Sequence, residues 1–448
     1  MAGSGTGSSG KSSSGKGSSD PGEDTSDRGS RLPFLSDRGS RLPLLLTVWV
    51  LTRTVLLLCV FRVLDMPGSD VGIDIEVIYR RWYGVFSTGV FPYDDVTWQY
   101  PPAAALAVLS PGLLPFLDYA HAFFLVCWVA DAAVLGMLLY AVRGGRRSVR
   151  GVWVWVLGVP LLGPIVYARY DVMVTAVAVA GLLALGRRTR LAGALAGFGA
   201  LLKVWPVLLL VGVPRGGRTR SAWTSALVSG VVLLMLFAAA MPGALAFLTF
   251  QRDRGTEVES LGSMVFHLAR HFGWHGRARL HYGSVEFLGR HVHAVSALAL
   301  GLSLVAFGWL LLWRVRARRF EACTPSDAAF TAVLLFTTTS RVISPQYVVW
   351  LIGLAAVCAT VRTTRQGLPI VLVLVAAPLT QLEFPIWFQH VIASDKLGVA
   401  TLTLRNALLV AATVIACRRL WRATVSVPPV AAGEPEPPAE RASELVSG

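Results

Sequence analysis

Charge is scarce in this chain, and lysine is almost absent from it. Charged residues make up 15% of the 448, and only four of the 41 basic residues are lysines. Such a composition excludes an ordinary soluble globular domain. The five cysteines (Cys59, Cys127, Cys323, Cys358 and Cys417) show no CxxC spacing. Four of them fall in apolar segments and read as inert packing residues rather than disulfide or metal partners. No glycine-rich nucleotide-binding loop and no HExxH motif occurs, so neither a nucleotide fold nor a zinc protease is indicated. The apolar runs do not alternate with period two, which excludes an outer-membrane barrel. Residues 1–30 lack an apolar stretch with a cleavage site, so no signal peptide is expected.

What is present is hydrophobic. Apolar residues form 54% of the chain, and the mean hydropathy is +0.59. Apolar stretches of about 15 to 23 residues recur from Leu44 to Cys417, the length a bilayer-spanning helix needs. The fold class expected is all-α, a polytopic transmembrane helical bundle. One integral domain, 44–422, is expected between disordered cytoplasmic tails at 1–43 and 423–448. The first tail carries a ten-residue tandem duplication, Ser26–Leu35 against Ser36–Leu45, which looks like slippage rather than a structural repeat.

The net charge of +15 collects in short arginine clusters, at Arg143–Arg150, Arg187–Arg190, Arg215–Arg220, Arg314–Arg319, Arg362–Arg365 and Arg418–Arg422. These read as topology signals and contacts to anionic lipid, not as a nucleic-acid surface. Placing all of them in the cytoplasm gives about twelve crossings. The run 101–117, broken by Pro101, Pro102, Pro111 and Pro115, is then re-entrant, and two large loops, 65–100 and 242–290, lie outside. Segments 152–167 and 170–186 form one hairpin, 191–202 and 204–213 a second, and 328–340 and 345–360 a third.

This topology brings Asp74, Arg169, Asp171, Lys203, Arg341 and Gln346 to the extracytoplasmic face. The first outer loop is also acidic and aromatic. Asp70, Asp74, Glu76, Asp94 and Asp95 lie there among Tyr79, Trp82, Tyr83, Tyr93, Trp98 and Tyr100. Carboxylates held at a bilayer edge are costly, so a site is the default reading. Lys203 is the one lysine flanked on both sides by long apolar sequence, and an ammonium there calls for an anion. Three cations beside carboxylates suit a phosphate whose lipid tail stays in the hydrocarbon. Structural alternatives stand beside each role. Asp74 could cap a helix, Arg169 and Asp171 could pair with one another, Lys203 could face a helix C-terminus, and Arg341 could be an interfacial anchor. Asp131 and Arg53 read as a polar contact between helices. His267, His271 and His275 recur at a spacing that would line one helix face, without the companion ligands of a metal site.

The residues also carry a family resemblance. Asp74-Ile-Glu-Val-Ile-Tyr, Gly89-Val-Phe-Pro-Tyr93 and Tyr100-Pro-Pro are similar to the first outer loop of the GT-C glycosyltransferases. Arg169-Tyr-Asp171, Lys203-Val-Trp-Pro206 and Ser344-Pro-Gln-Tyr347 resemble further landmarks of family GT87, the polyprenyl-phosphate-mannose-dependent α-mannosyltransferases. The resemblance spans roughly Leu44 to Trp421. It implies a GT-C type bundle in which Asp74 is the catalytic base, and a polyprenyl monophosphate sugar donor with no cofactor or metal. It also implies a glycan or glycolipid acceptor and an extracytoplasmic site in a bacterial plasma membrane. Tyr93, Arg169, Asp171, Lys203, Arg341 and Gln346 are the substrate-binding candidates. An arabinofuranosyl or other lipid-linked sugar donor, or a polytopic lipid or sugar transporter, remain the alternatives at this point.

Overall fold

The computed structural model describes residues 38–250 and 255–426; the expected tails and the tandem duplication lie for the most part outside them. The chain divides into Met1–Leu44 and Leu45–Gly448. Of the first unit only the opening turns of the helix Arg38–Val60 are described. The second unit holds the remainder of that helix and every other described element.

Among the described residues the chain is mostly helical, as the composition requires. Six helices are long and apolar enough to cross a membrane: Leu42–Val60, Tyr119–Val142, Gly217–Ala240, Val292–Arg316, Gly367–Ile386 and Lys396–Thr424. All but one of the other crossings expected from sequence fall on shorter helices. Four of these, Arg150–Leu162, Asp171–Ala184, Thr189–Leu202 and Tyr347–Thr360, are 13 or 14 residues long. The segment expected to be re-entrant is helical over Ala104–Leu109, with one tight turn, Ser110–Leu113, after it.

One expected crossing is not an α-helix. Residues 204–213 hold only a 3-10 segment, Trp205–Leu210. Lys203 is extended there (φ −159°, ψ 133°) and closes the preceding helix by donating from its backbone to Gly199. Pro206 lacks an N–H and cannot continue an α-helical ladder at this point.

Local chemistry explains the other element ends that matter. Asp118 caps Tyr119–Val142 by accepting from the Ala120 and His121 amides, and Asp395 caps Lys396–Thr424 through Gly398. Gly163, at φ +82°, turns the chain out of Arg150–Leu162 before Pro164. Close helix packing relies on small residues. A side chain at Gly193 would lie 2.1 Å from the Ala222 carbonyl oxygen, and one at Gly197 would lie 2.3 Å from that of Ala226. This GxxxG face lets Thr189–Leu202 lie directly on Gly217–Ala240.

The loop 242–290, expected outside, is not plain coil. It carries a three-stranded antiparallel sheet in the order β1-β3-β2, with β1 Thr256–Glu257, β2 Arg277–His281 and β3 Ser284–Leu288. Behind it pack Val258, Phe266, Phe287 and Val292, with Val391 and Leu402 from the C-terminal helices. The spacing of His267, His271 and His275 does not produce one helical face. The helix stops at Arg270, and Gly273 at φ +88° takes the chain away. His267 is buried between Ser394 Oγ and the Val258 carbonyl, 2.8 Å from each. Among the described residues no group of His, Cys, Asp and Glu could hold a metal ion. All five cysteines are unbridged.

Candidate active site

The site begins with a buried anchor. Asp131, fully enclosed on Tyr119–Val142, accepts from Arg53 Nε at 2.9 Å, Trp155 Nε1 at 2.7 Å and Tyr167 Oη at 2.6 Å. Arg53 spends its other nitrogens on the carbonyls of Val156 and Trp155. A buried ion pair is tolerable only when its remaining hydrogen-bonding groups are met, as here. The sequence expectation of a helix-to-helix polar contact therefore holds, and the contact has a second effect. It fixes Tyr167, two residues before Arg169, on the connection out of Arg150–Leu162.

Arg169 then reaches the first outer loop. It pairs with Asp74 through Nη2 and donates through Nη1 to the Val71 and Ala168 carbonyls. Asp74 stands at the start of a π-helical turn, Ile75–Tyr79, yet its side chain caps nothing. The capping alternative is therefore not realised. Burial works against the Arg169 charge, but Asp74, with Tyr79, Tyr100 and Asp171, outweighs it and holds the guanidinium above its ordinary range. The two side chains differ in access: Asp74 is 31% exposed and Arg169 12%.

Two residues on, Asp171 opens the helix Asp171–Ala184 and turns the other way. Its Oδ1 accepts from Lys203 Nζ and from Trp350 Nε1, both at 2.7 Å. Arg169 and Asp171 thus do not pair with each other; each is matched to a residue from another segment. Lys203 also sits inside a ring of aromatics, 4.9 Å from the Trp350 ring, 5.1 Å from Tyr170 and Tyr347, and 5.4 Å from Tyr100. Cation–π attraction is strongest for such desolvated ammonium groups. Trp350 stacks on Tyr347 one helical turn away, with centroids 4.0 Å apart.

Tyr79 joins the two pairs. Its ring stacks on Trp82 at 5.1 Å and meets Phe123 edge-on. Burial pushes its phenol well above the usual range, with Tyr100, Asp171 and Asp74 adding and Arg169 opposing. The hydroxyl is buried and has no hydrogen-bond partner among the described residues.

The remaining candidates are distributed unevenly. Gln346 is the residue before the helix Tyr347–Thr360, so it adjoins the ring cage through the chain. Arg341 lies on the same connection, and its carbonyl accepts from the Glu257 amide at 3.1 Å. Tyr93 stands apart, 52% exposed and packed over Gly243 of the second outer loop.

Sequence reasoning missed two features. Trp350 lies in an apolar helix, where only its position three residues after Tyr347, on the same helical face, signals a role. The other is a carboxylate cluster beside the 341–347 connection. Ser344 donates to Glu257 at 2.8 Å, while Arg405 grips Glu383 with two nitrogens and the Glu259 carbonyl with one. Burial, with Glu383 and Glu257 alongside, pushes the Glu259 carboxyl far up. Glu383 and Arg405 each interrupt an apolar run, and that was the available signal.

With this geometry in place the chain can be compared with known proteins. A model of glycosyltransferase family 87 matches residues 98–345, more than half of the chain. The chain belongs to glycosyltransferase family 87. No curated protein and no solved structure matches it. Family membership decides between the two classes left open by the sequence, in favour of an enzyme over a transporter. It makes this protein a membrane glycosyltransferase, in agreement with its apolar helices. Tyr100, Arg169, Asp171, Lys203 and Arg341 lie inside the family 87 match. Asp74 and Tyr79 precede it and Gln346 follows it, and contacts in space tie Asp74 and Tyr79 to the residues inside.

Proposed function

We propose that the enzyme moves a hexose, mannose, from a polyprenyl monophosphate to a hydroxyl of a glycan or glycolipid acceptor on the extracytoplasmic side of a bacterial plasma membrane. Asp74 is the general base. It takes the acceptor hydroxyl proton as the new bond to the sugar C1 forms. The bond from C1 to the phosphate oxygen breaks, and the electron pair leaves with the polyprenyl phosphate. Arg169 and Lys203 meet the charge on the departing phosphate. The phosphate is already a good leaving group, so no strong general acid is required.

One observation carries this reading. Three segments far apart in sequence deliver two carboxylate–cation pairs, Asp74–Arg169 and Asp171–Lys203, to one aromatic-walled place. The more exposed carboxylate, Asp74, is the one placed to meet an acceptor. The rings of Tyr100, Tyr170 and Tyr347 offer faces for sugar. Arg341 and Gln346 belong to the surrounding substrate surface, and Tyr93, which stands apart, would meet only the more distant part of an acceptor.

Asp74→Asn tests the assignment. The amide keeps an oxygen for Arg169 but cannot take a proton. Transfer from polyprenyl-phosphate mannose should fall by roughly 10²–10⁴, the range for losing a general base, with little change in donor KM. Asp94→Asn, on the same loop but exposed, is the control and should keep its activity. Full transfer by a well-inserted Asp74→Asn protein would remove Asp74 from the mechanism.

A further inference from the structure

The base of the β2–β3 hairpin, away from its turn, borders a groove of about 860 Å³ formed by residues 269–291. Arg277, Arg279, Arg290, His275 and His291 line it, and all five are exposed. Among the described residues none of them forms an ion pair; the nearest histidine that does is His281, with Glu286. The described acids of this subdomain are buried. Glu257, Glu259 and Glu286 are 2%, 4% and 0% exposed. Glu286 stands opposite Arg279 in the sheet but is buried and pairs with His281, so among the described residues the basic side chains lining the groove outnumber the acids beside them.

Its floor is aromatic and rigid. The Trp274 indole lies over Gly276, where a Cβ would come within 1.9 Å of the ring. It also packs on Phe266 at 4.8 Å and donates from Nε1 to the Arg290 carbonyl at 3.1 Å. Arg277 and Arg279 alternate on one face of β2, so they stand roughly 7 Å apart. Guanidinium groups grip carboxylate or phosphate in a planar, two-pronged fashion, and the Trp274 indole lines the same groove.

We infer that this groove docks a negatively charged saccharide, the acceptor strand, through its carboxylate or phosphate groups. The inference rests on the transferase reading above and names the chemical class of the acceptor. A concave channel holding an indole fits a chain of sugars better than the flat plane of lipid headgroups. The position fits as well. At the hairpin turn the Tyr282 carbonyl accepts from Gln99 Nε2 at 3.0 Å, and Gln99 adjoins Tyr100 of the Lys203 cage. The five-residue strand β2, roughly 17 Å long, runs from the groove to that turn, so a strand of several sugars held in the groove extends toward the reaction centre.

The test uses full-length protein bearing Asp74→Asn, to prevent turnover, in phosphatidylcholine nanodiscs. Labelled trigalacturonate, a phosphorylated mannopentaose, neutral mannotriose and inorganic phosphate are titrated in turn. At least one charged oligosaccharide should bind, more weakly as salt rises. Arg277→Gln/Arg279→Gln should weaken that binding at least tenfold, and both positions are exposed enough for the variant to fold. Equal binding of the neutral sugar, unchanged binding by the double variant, binding of inorganic phosphate alone, or a response only to phosphatidylglycerol in the discs each overturns the proposal. The last of these assigns the groove to the bilayer surface. Because binding is read without turnover, failure of the groove and failure of Asp74 as base are separate results.

Discussion

An ammonium enclosed by four aromatic faces and one carboxylate has lost nearly all of its water, and its energetics follow from that. Lys203→Met removes the charge and leaves Asp171 buried with only Trp350 to donate to it. Breaking a buried pair in this way costs about 3–5 kcal/mol, so stability should fall whatever the catalytic role. Adding Asp171→Asn relieves the stranded charge. If Lys203 serves the donor phosphate, donor KM stays about ten- to a hundredfold high in the double variant, the worth of one charged hydrogen bond. If donor KM returns to the wild-type value, Lys203 only holds the fold. Comparing donor titrations of the single and double variants decides it. The scarcity of lysine made Lys203 visible in the sequence, but its partner was not visible. Pairing between Arg169 and Asp171, adjacent in a tripeptide, is the natural reading of the string. The chain turn at Tyr170 sends the two side chains to different neighbours.

At the level of elements, the sheet-bearing loop 242–290 is held by a histidine that must stay neutral. Burial lowers the His267 pKa to about 4, below the ordinary value near 6.5. A depressed histidine contributes stability that is complete above its unfolded value and is lost as pH falls through the folded one. The window is thus about pH 6.5 down to 4. The displacement amounts to about 3 kcal/mol. Amide exchange in β1, β2 and β3 should speed up across that window, and His267→Gln, which has no such titration, should flatten the response. Exchange rates independent of pH in the native protein, after correction for intrinsic chemistry, would show that His267 does not anchor the sheet. The long apolar helices were legible because twenty or so apolar residues have few other destinies. The sheet was not, since Arg277-Ala-Arg-Leu-His281 has neither β-branched nor aromatic residues and draws its order from the Phe266 and Phe287 rings behind it. The expected helix at 204–213 failed because apolar length alone cannot register what Pro206 does to the backbone.

For the whole molecule, the arginine clusters make the orientation testable. Single cysteines near Ser148, Thr189, Thr219 and Thr364 should resist an impermeant thiol reagent in intact cells, whereas cysteines at Ser69 and Ser284 should react. Labelling from outside at Thr189 or Thr219 would invert the segments that present Lys203 and separate it from an outer site. Four short helices share a further property. Arg150–Leu162 leads into the site, Thr189–Leu202 ends at Lys203, and Asp171–Ala184 and Tyr347–Thr360 begin there. At 1.5 Å per residue each extends only about 21 Å, against a hydrocarbon core of about 30 Å. The helices that meet at the proposed site are thus shorter than the hydrocarbon is thick, a hydrophobic mismatch. Around helices this short a bilayer is expected to thin, which would let the aqueous phase approach Asp74. On the proposed function, a phosphate tethered to a long isoprenoid would then meet its cations without being drawn up out of the leaflet.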